Sequence, residues 1–220
     1  MTKLCFTCQI NSTNQASIAC HPWLTPQKPW ERIHVDFAEN FLGTHFLIII
    51  DAQSKWIEAY KQSKLTTHET ICNLRRCFAT YGFPYQLHSD NGSAFTSKEF
   101  QDYLGAYGIK HTTSPAYSPK TNGLAERAVQ VFKNKMRKNE GTIQEKLTNF
   151  LFHYRSTVQE STGETPAFRM FGREFRTKLS LVRPEPRIVV GRKPPPRSWE
   201  DEKAFSVGEN VLARDFFYPW

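Results

Sequence analysis

The sequence predicts an α/β domain: a mixed five-stranded sheet with helices packed against both faces. Three observations lead there. Three strand-like runs follow one another between residues 33 and 60, joined by short polar links. From residue 66 to 113 helical and strand patterns alternate. Two amphipathic helical patterns then occupy residues 123–154 with no strand between them. Composition agrees with a packed core, since 39% of the 220 residues are hydrophobic and 17 are Phe, too much apolar material for a disordered chain.

Residues 1–29 are polar and irregular, with Pro22, Pro26 and Pro29. "IHVDF", residues 33–37, alternates as a half-buried strand does, and "HFLIII", residues 45–50, reads as a buried one. "KWIEAY", residues 55–60, completes an antiparallel meander. Thr66 and Glu69 then have capping-box spacing, and Ile71, Leu74, Phe78 and Tyr81 share one helical stripe. Gly82 and Pro84 are placed to end that helix, and the strand that follows runs into Asp90. Thr96 and Glu99 are expected to cap a second helix with Phe100, Tyr103, Leu104 and Tyr107 inward and Gly108 closing it. "IKHTT", residues 109–113, gives the fifth strand. Beyond a loop rich in Pro, Ser and Asn, a long helix runs from Gly123 to about Asn139. Thr142 with Glu145 opens another, which carries Leu147, Phe150, Leu151 and Tyr154.

At Arg173 the character changes. Residues 173–197 carry eight Lys or Arg against Glu174 and Glu185, and "KPPPR" cannot be helical, so residues 173–203 read as a basic linker. "FSVGENVLARDFFYPW" within residues 204–220 has the pattern of a strand, a turn at Gly208 and a strand. The expected organisation is a core over residues 30–172 between two partial flanks.

Lys and Arg number 29 against 21 acids, a net charge of +8, with a pI near 9.3. That surplus points to polyanions, nucleic acid first among them. The apolar run Phe46–Ile50 is far too short to span a bilayer, so no membrane is expected. No secretory signal is evident, and the five cysteines read as reduced thiols, with Cys72 and Cys77 as packing residues.

Three acids sit where acids are awkward. Asp36 interrupts the alternation of the first strand, Asp90 ends the fourth, and Glu126 lies early in the long helix. A turn explains Asn91 and Gly92, and Asp also begins many turns, so the octapeptide "HSDNGSAF" leaves Asp90 open to a purely structural reading. Paired side by side, the first and fourth strands with the helix across their ends would bring the three carboxylates together. Such a cluster repels itself unless divalent cations neutralise it, and hard oxygen ligands select Mg²⁺ or Mn²⁺. Two such ions can activate an attacking oxygen and stabilise the leaving one in a phosphodiester. On a helix of about 3.6 residues per turn, Glu126, Gln130, Lys133 and Arg137 fall along one line, a face suited to a phosphate backbone.

"WERIHVDF", "FLIIIDAQSKWIEAY", "HSDNGSAFTSKEF" and "SPAYSPKTNGLAERAVQVFKNKM" resemble the integrase catalytic core of retroviruses and LTR retrotransposons, the gypsy-type elements in particular. The resemblance runs from about Trp30 to Arg173. Thirty-five residues separate Asp90 from Glu126, as in that family's Asp, Asp, Glu triad. It implies an RNase H-like fold and Mg²⁺-dependent DNA processing and strand transfer, without a covalent enzyme intermediate. Asp36 and Asp90 would hold one ion and Asp36 and Glu126 the other. Asn91, Lys120, Asn122, Gln130, Lys133 and Arg137 are expected to contact DNA, with Lys133 on the element's end and the Ser114–Asn122 loop flexing over the site. A homo-oligomer working in the nucleus is expected, with Phe152 and Tyr154 as candidates for contact between copies. Cys5 and Cys8 match the Cys half of the family's N-terminal zinc site, but His21 and His34 follow at the wrong spacing; with four ligands required, no structural zinc is expected. Two other readings stay open at this point: an integrase-fold protein that binds nucleic acid without catalysis, and another RNase H-like nuclease.

Overall fold

β1 (Arg32–Phe41) is the central strand of a five-stranded sheet. β2 (Thr44–Asp51) and β3 (Ile57–Gln62) continue the sheet antiparallel on one side. β4 (Gln86–Ser89) and β5 (Lys110–Thr113) extend it in parallel on the other, giving the order β3-β2-β1-β4-β5. This computed structural model of the chain describes residues 26–114 and 122–182. Cys5, Cys8, Lys120, loop residues 115–121, the linker past residue 182 and the 204–220 segment lie outside the described residues. The chain divides after Thr177, and of the part from Lys178 onward the described element is one 3₁₀ turn, Lys178–Leu181.

β2 is apolar on both faces because both faces are covered. Leu47 and Ile49 join Ile33, Val35 and Leu87 in one core layer, under α1 (Thr67–Tyr81) and α3 (Lys98–Ala106), which contribute Leu74, Phe78, Phe100 and Leu104. Phe46, Ile48 and Ile50 face the opposite layer, formed by α4 (Gly123–Lys138) and α5 (Ile143–Ser156) through Ala125, Val129, Phe132, Met136, Leu147 and Phe150. Each large side chain fully buried here gains about 1.5–3 kcal/mol over an exposed one.

The β1–β2 hairpin turns on Leu42 and Gly43, both at positive φ (53° and 74°). Thr66 caps α1 through the Glu69 N–H, and Gly82 ends it at φ 81°. Thr142 and Glu145 form a full capping box at the start of α5. β1 runs on to Phe41, beyond the expected Phe37, and two other boundaries shift for local reasons. β3 begins at Ile57 rather than Lys55, because Asp51 organises a turn: its carboxylate accepts from Ser54 N (2.7 Å) and Trp30 N (3.0 Å), and Lys55 takes φ 63°. The second helix is capped by Ser97, whose Oγ accepts from Phe100 N, and not by Thr96, which closes a separate turn, α2 (Ser93–Thr96).

A short helix, α6 (Pro166–Phe171), ends at Gly172 in the left-handed region. Arg155 ties α5 to the sheet. Its Nε and Nη2 donate to the Ile57 carbonyl (3.1 and 2.8 Å), and Nη2 pairs with Glu58 at 2.5 Å. Glu58 also accepts from Trp56 Nε1 and the Tyr81 hydroxyl, so this half-hidden ion pair is well supplied with hydrogen bonds. Cys77 is a buried core thiol, as expected of a packing residue. Of the two residues expected between copies, Phe152 exposes its ring, whereas Tyr154 packs against Phe150 and the α4–α5 core.

Candidate active site

The sheet order reverses direction at β1, where antiparallel pairing on one side meets parallel pairing on the other. Open α/β sheets form their functional crevices at such switch points, beyond the C-terminal ends of strands. Pairing between β1 and β4 stops at His34–His88, and the acids lie just past it. Asp36 follows on β1, opposite Ile48 and therefore on the α4 side of the sheet. Asp90 is the first residue after β4. Glu126 is in the first turn of α4, where a helix N-terminus favours a negative charge.

Asp36 lies within electrostatic reach of the other two acids. Burial first, and then the charges of Asp90 and Glu126, raise the Asp36 carboxyl to about 6 against the opposing pull of the Phe37 N–H (2.7 Å) and of Lys133. Among the described residues, no three His, Cys, Asp or Glu side chains close around a single point as one metal site. Hard carboxylate oxygens are the donors that Mg²⁺ and Mn²⁺ take.

Asp90 also does what a turn residue does. Its Oδ1 accepts from Gly92 N at 3.0 Å, the bond that the turn reading of "HSDNGSAF" calls for. Asn91, expected on DNA, spends its amide N–H on the Ser114 carbonyl (2.8 Å) and anchors the end of β5 beside Asp90. Asn122 is a correction to the expected DNA face: it is 1% exposed and bonds back to β1, so its side chain is turned inward. Gln130 and Arg137 are exposed and Lys133 half-buried along the Glu126 line. Arg137 sits with its guanidinium 5.4 Å from the centre of the Phe41 ring.

A polar layer under the acids escaped the reading of the sequence. His34 and His88 precede Asp36 and Asp90 by two residues and lie on the same face of their strands. His88 bonds to the hydroxyls of Thr112 (3.0 Å) and Ser114 (3.3 Å). Burial holds His34 down to about 3 and His88 to about 4, with Arg32 adding to both, so each is neutral at pH 7. The signal was available in the two-residue spacing from each acid, a period that places side chains on one face.

Residues 26–119 match the family model described as integrase core domain. The uncharacterized protein K02A2.6 of Caenorhabditis elegans is 37% identical over 193 residues, 86% of this chain and 15% of that protein. The Gag-Pro-Pol polyprotein of simian retrovirus SRV-1 is 29% identical over 188 residues, 77% of this chain and 11% of its own length. The chain thus spans about a tenth to a seventh of these relatives. Among solved structures, a simian T-cell lymphotropic virus intasome in complex with PP2A regulatory subunit B56 gamma aligns with a TM-score of 0.66 at 22% identity, covering 79% of this chain and 65% of that one. The trimeric form of the HTLV-2 integrase catalytic core domain in complex with magnesium aligns at 0.56 and 24%, covering 66% of this chain and 98% of that one. With a central strand flanked by antiparallel neighbours on one side and parallel ones on the other, the chain carries the RNase H-like fold of integrase catalytic cores, and its residues 26–119 match the integrase core domain family.

Proposed function

We propose that this chain processes DNA ends and transfers DNA strands, with Asp36, Asp90 and Glu126 as its catalytic carboxylates. The observation that carries the reading is the placement of Asp36 on β1, Asp90 at the end of β4 and Glu126 in the first turn of α4, near enough that the charges of the latter two help burial raise the Asp36 carboxyl to about 6. A buried carboxyl within reach of two other negative charges is relieved by cations. Two divalent ions, one between Asp36 and Asp90 and one between Asp36 and Glu126, would supply Lewis acidity to the attacking and leaving oxygens of the phosphodiester. The HTLV-2 core in complex with magnesium supports that choice of metal.

The chain's own residues orient the substrate. Gln130, Lys133 and Arg137 give the Glu126 face of α4 an amide and two cations for a phosphate backbone. In the first step water breaks a phosphodiester near the end of the DNA and leaves a 3′-hydroxyl. In the second, that hydroxyl attacks a target phosphodiester, forming one P–O bond as another breaks. The expected DNA substrate is what supports a nuclear location. Action as a homo-oligomer is supported by the dimeric and trimeric forms of the HTLV-2 core.

The test is a labelled DNA duplex incubated with purified protein in Mn²⁺. The wild type should nick or join it, and Asp90→Asn should give no product. Equal product from both proteins overturns the reading, and salt-sensitive binding without cleavage by the wild type reassigns the chain to nucleic-acid binding alone.

A further inference from the structure

We infer that Asn122 is a positioning residue that sets the α4-borne Glu126 against Asp36; this rests on the reading of those acids as metal-binding. Asn is a favoured helix N-cap, and Asn122 directly precedes α4, yet its side chain makes no capping bond there. It reaches across to β1. Its Nδ2 donates to the Val35 carbonyl at 3.3 Å, and its Oδ1 lies 3.4 Å from His34 Nδ1. An amide oxygen only accepts, so this contact has neutral His34 carrying its proton on Nδ1.

The acceptor on β1 is available for a structural reason. The Glu31 carbonyl accepts from Gln86 N, so carbonyls of odd-numbered residues along this strand face β4. Val35 is the next such residue past the last β1–β4 pair, His34–His88, where the two strands part. Asn122 fills the place that a longer β4 would have taken. A buried carbonyl left without a donor is costly, so the amide has a defined seat.

The clamp therefore joins the peptide next to Asp36 to the residue one helical turn before Glu126. It acts on the Asp36–Glu126 pair. Asp90 is held separately, by its bond from Gly92 N and by Asn91 on Ser114.

Mn²⁺ binding to the full chain without DNA, followed by electron paramagnetic resonance of the unbound ion, tests this selectivity. The wild type should take up two ions. Asn122→Ala should bind the first within about twofold of wild type and the second at least tenfold more weakly, falling towards Glu126→Gln and unlike Asp90→Asn. A general loss of structure would weaken both sites together, so equal weakening, or two wild-type sites, overturns the inference. Amide hydrogen exchange provides a second readout that needs no metal. Asn122→Ala should exchange at least tenfold faster in the first two turns of α4 and unchanged near Met136; an unaltered pattern overturns the clamp. A wild type that binds no Mn²⁺ defeats the proposed function, while the exchange measurement still decides the clamp.

Discussion

His34 and His88 face one another across the seam between β1 and β4, their ring centroids 5.1 Å apart, each two residues before an acid of the candidate site. The two rings are the last paired step of the seam before the strands separate. The acids beyond them stand on a neutral, hydrogen-bonded base.

Asp36 makes stability depend on pH in a defined direction. Folding raises its carboxyl from 3.8 to about 6, so between these values the folded state binds more protons than the unfolded one. Stability contributed by this group is then present at low pH and is lost as pH rises through that window. Asp36→Asn should raise the stability of metal-free protein at pH 7 by about 1–2 kcal/mol, a few degrees in thermal midpoint, and leave pH 4 nearly unchanged. Added Mg²⁺ should stabilise the wild type and not the variant. A calorimetric scan showing the variant less stable at pH 7 would refute the buried, mutually repelled carboxyl.

Gly92→Ala separates chemistry from folding. A Cβ on Gly92 would stand 3.0 Å from Asp90 Oδ1, tighter than ordinary contact. Its φ is −56°, which any residue adopts, so the backbone tolerates the change. The carboxylate must give way by a few tenths of an ångström. Cleavage should fall on the order of tenfold or more, since small misplacements of catalytic groups cost rate steeply. The thermal midpoint should stay within about 2 °C, given the small stability change expected. Unchanged cleavage would mean that the Asp90–Gly92 bond has no bearing on the site.

Lys133 is placed to meet phosphate. Its charge reaches Asp36, and its side chain is half-exposed on the Glu126 face. Lys133→Ala should weaken binding to DNA of any sequence and reduce the slope of log K against log salt by about 1. Fluorescence anisotropy across a salt series measures both quantities, and an unaltered slope removes Lys133 from the contact surface.

Much of this was legible in the chain. The run of strands, the caps at Thr66 and Thr142, the stop at Gly82 and the meeting of β1 with β4 followed from spacing and side-chain period. What escaped reading depended on competition between neighbours. Thr96 has capping spacing to Glu99, but the turn that Asp90 and Gly92 start has already used Thr96 to close α2, and Ser97 inherits the cap. Lys55 reads as strand until Asp51 draws Ser54 and Trp30 to its carboxylate and bends the chain. Asn122 lies in a polar loop word that suggests an outward amide. Only the early end of β4 shows why the amide turns inward.

The fork of Arg155 on the Ile57 carbonyl has a consequence for assembly. β3 is an outer strand, and the Trp56 carbonyl there accepts from Asp51 N on β2, so the next carbonyl, that of Ile57, points away from the sheet. An outward row of this kind is a template for a foreign strand. A guanidinium with two N–H groups already seated on it, stacked 4.1 Å over the Trp56 ring, blocks the first rung such a strand would need. Edge-to-edge zipping at β3 is thereby disfavoured.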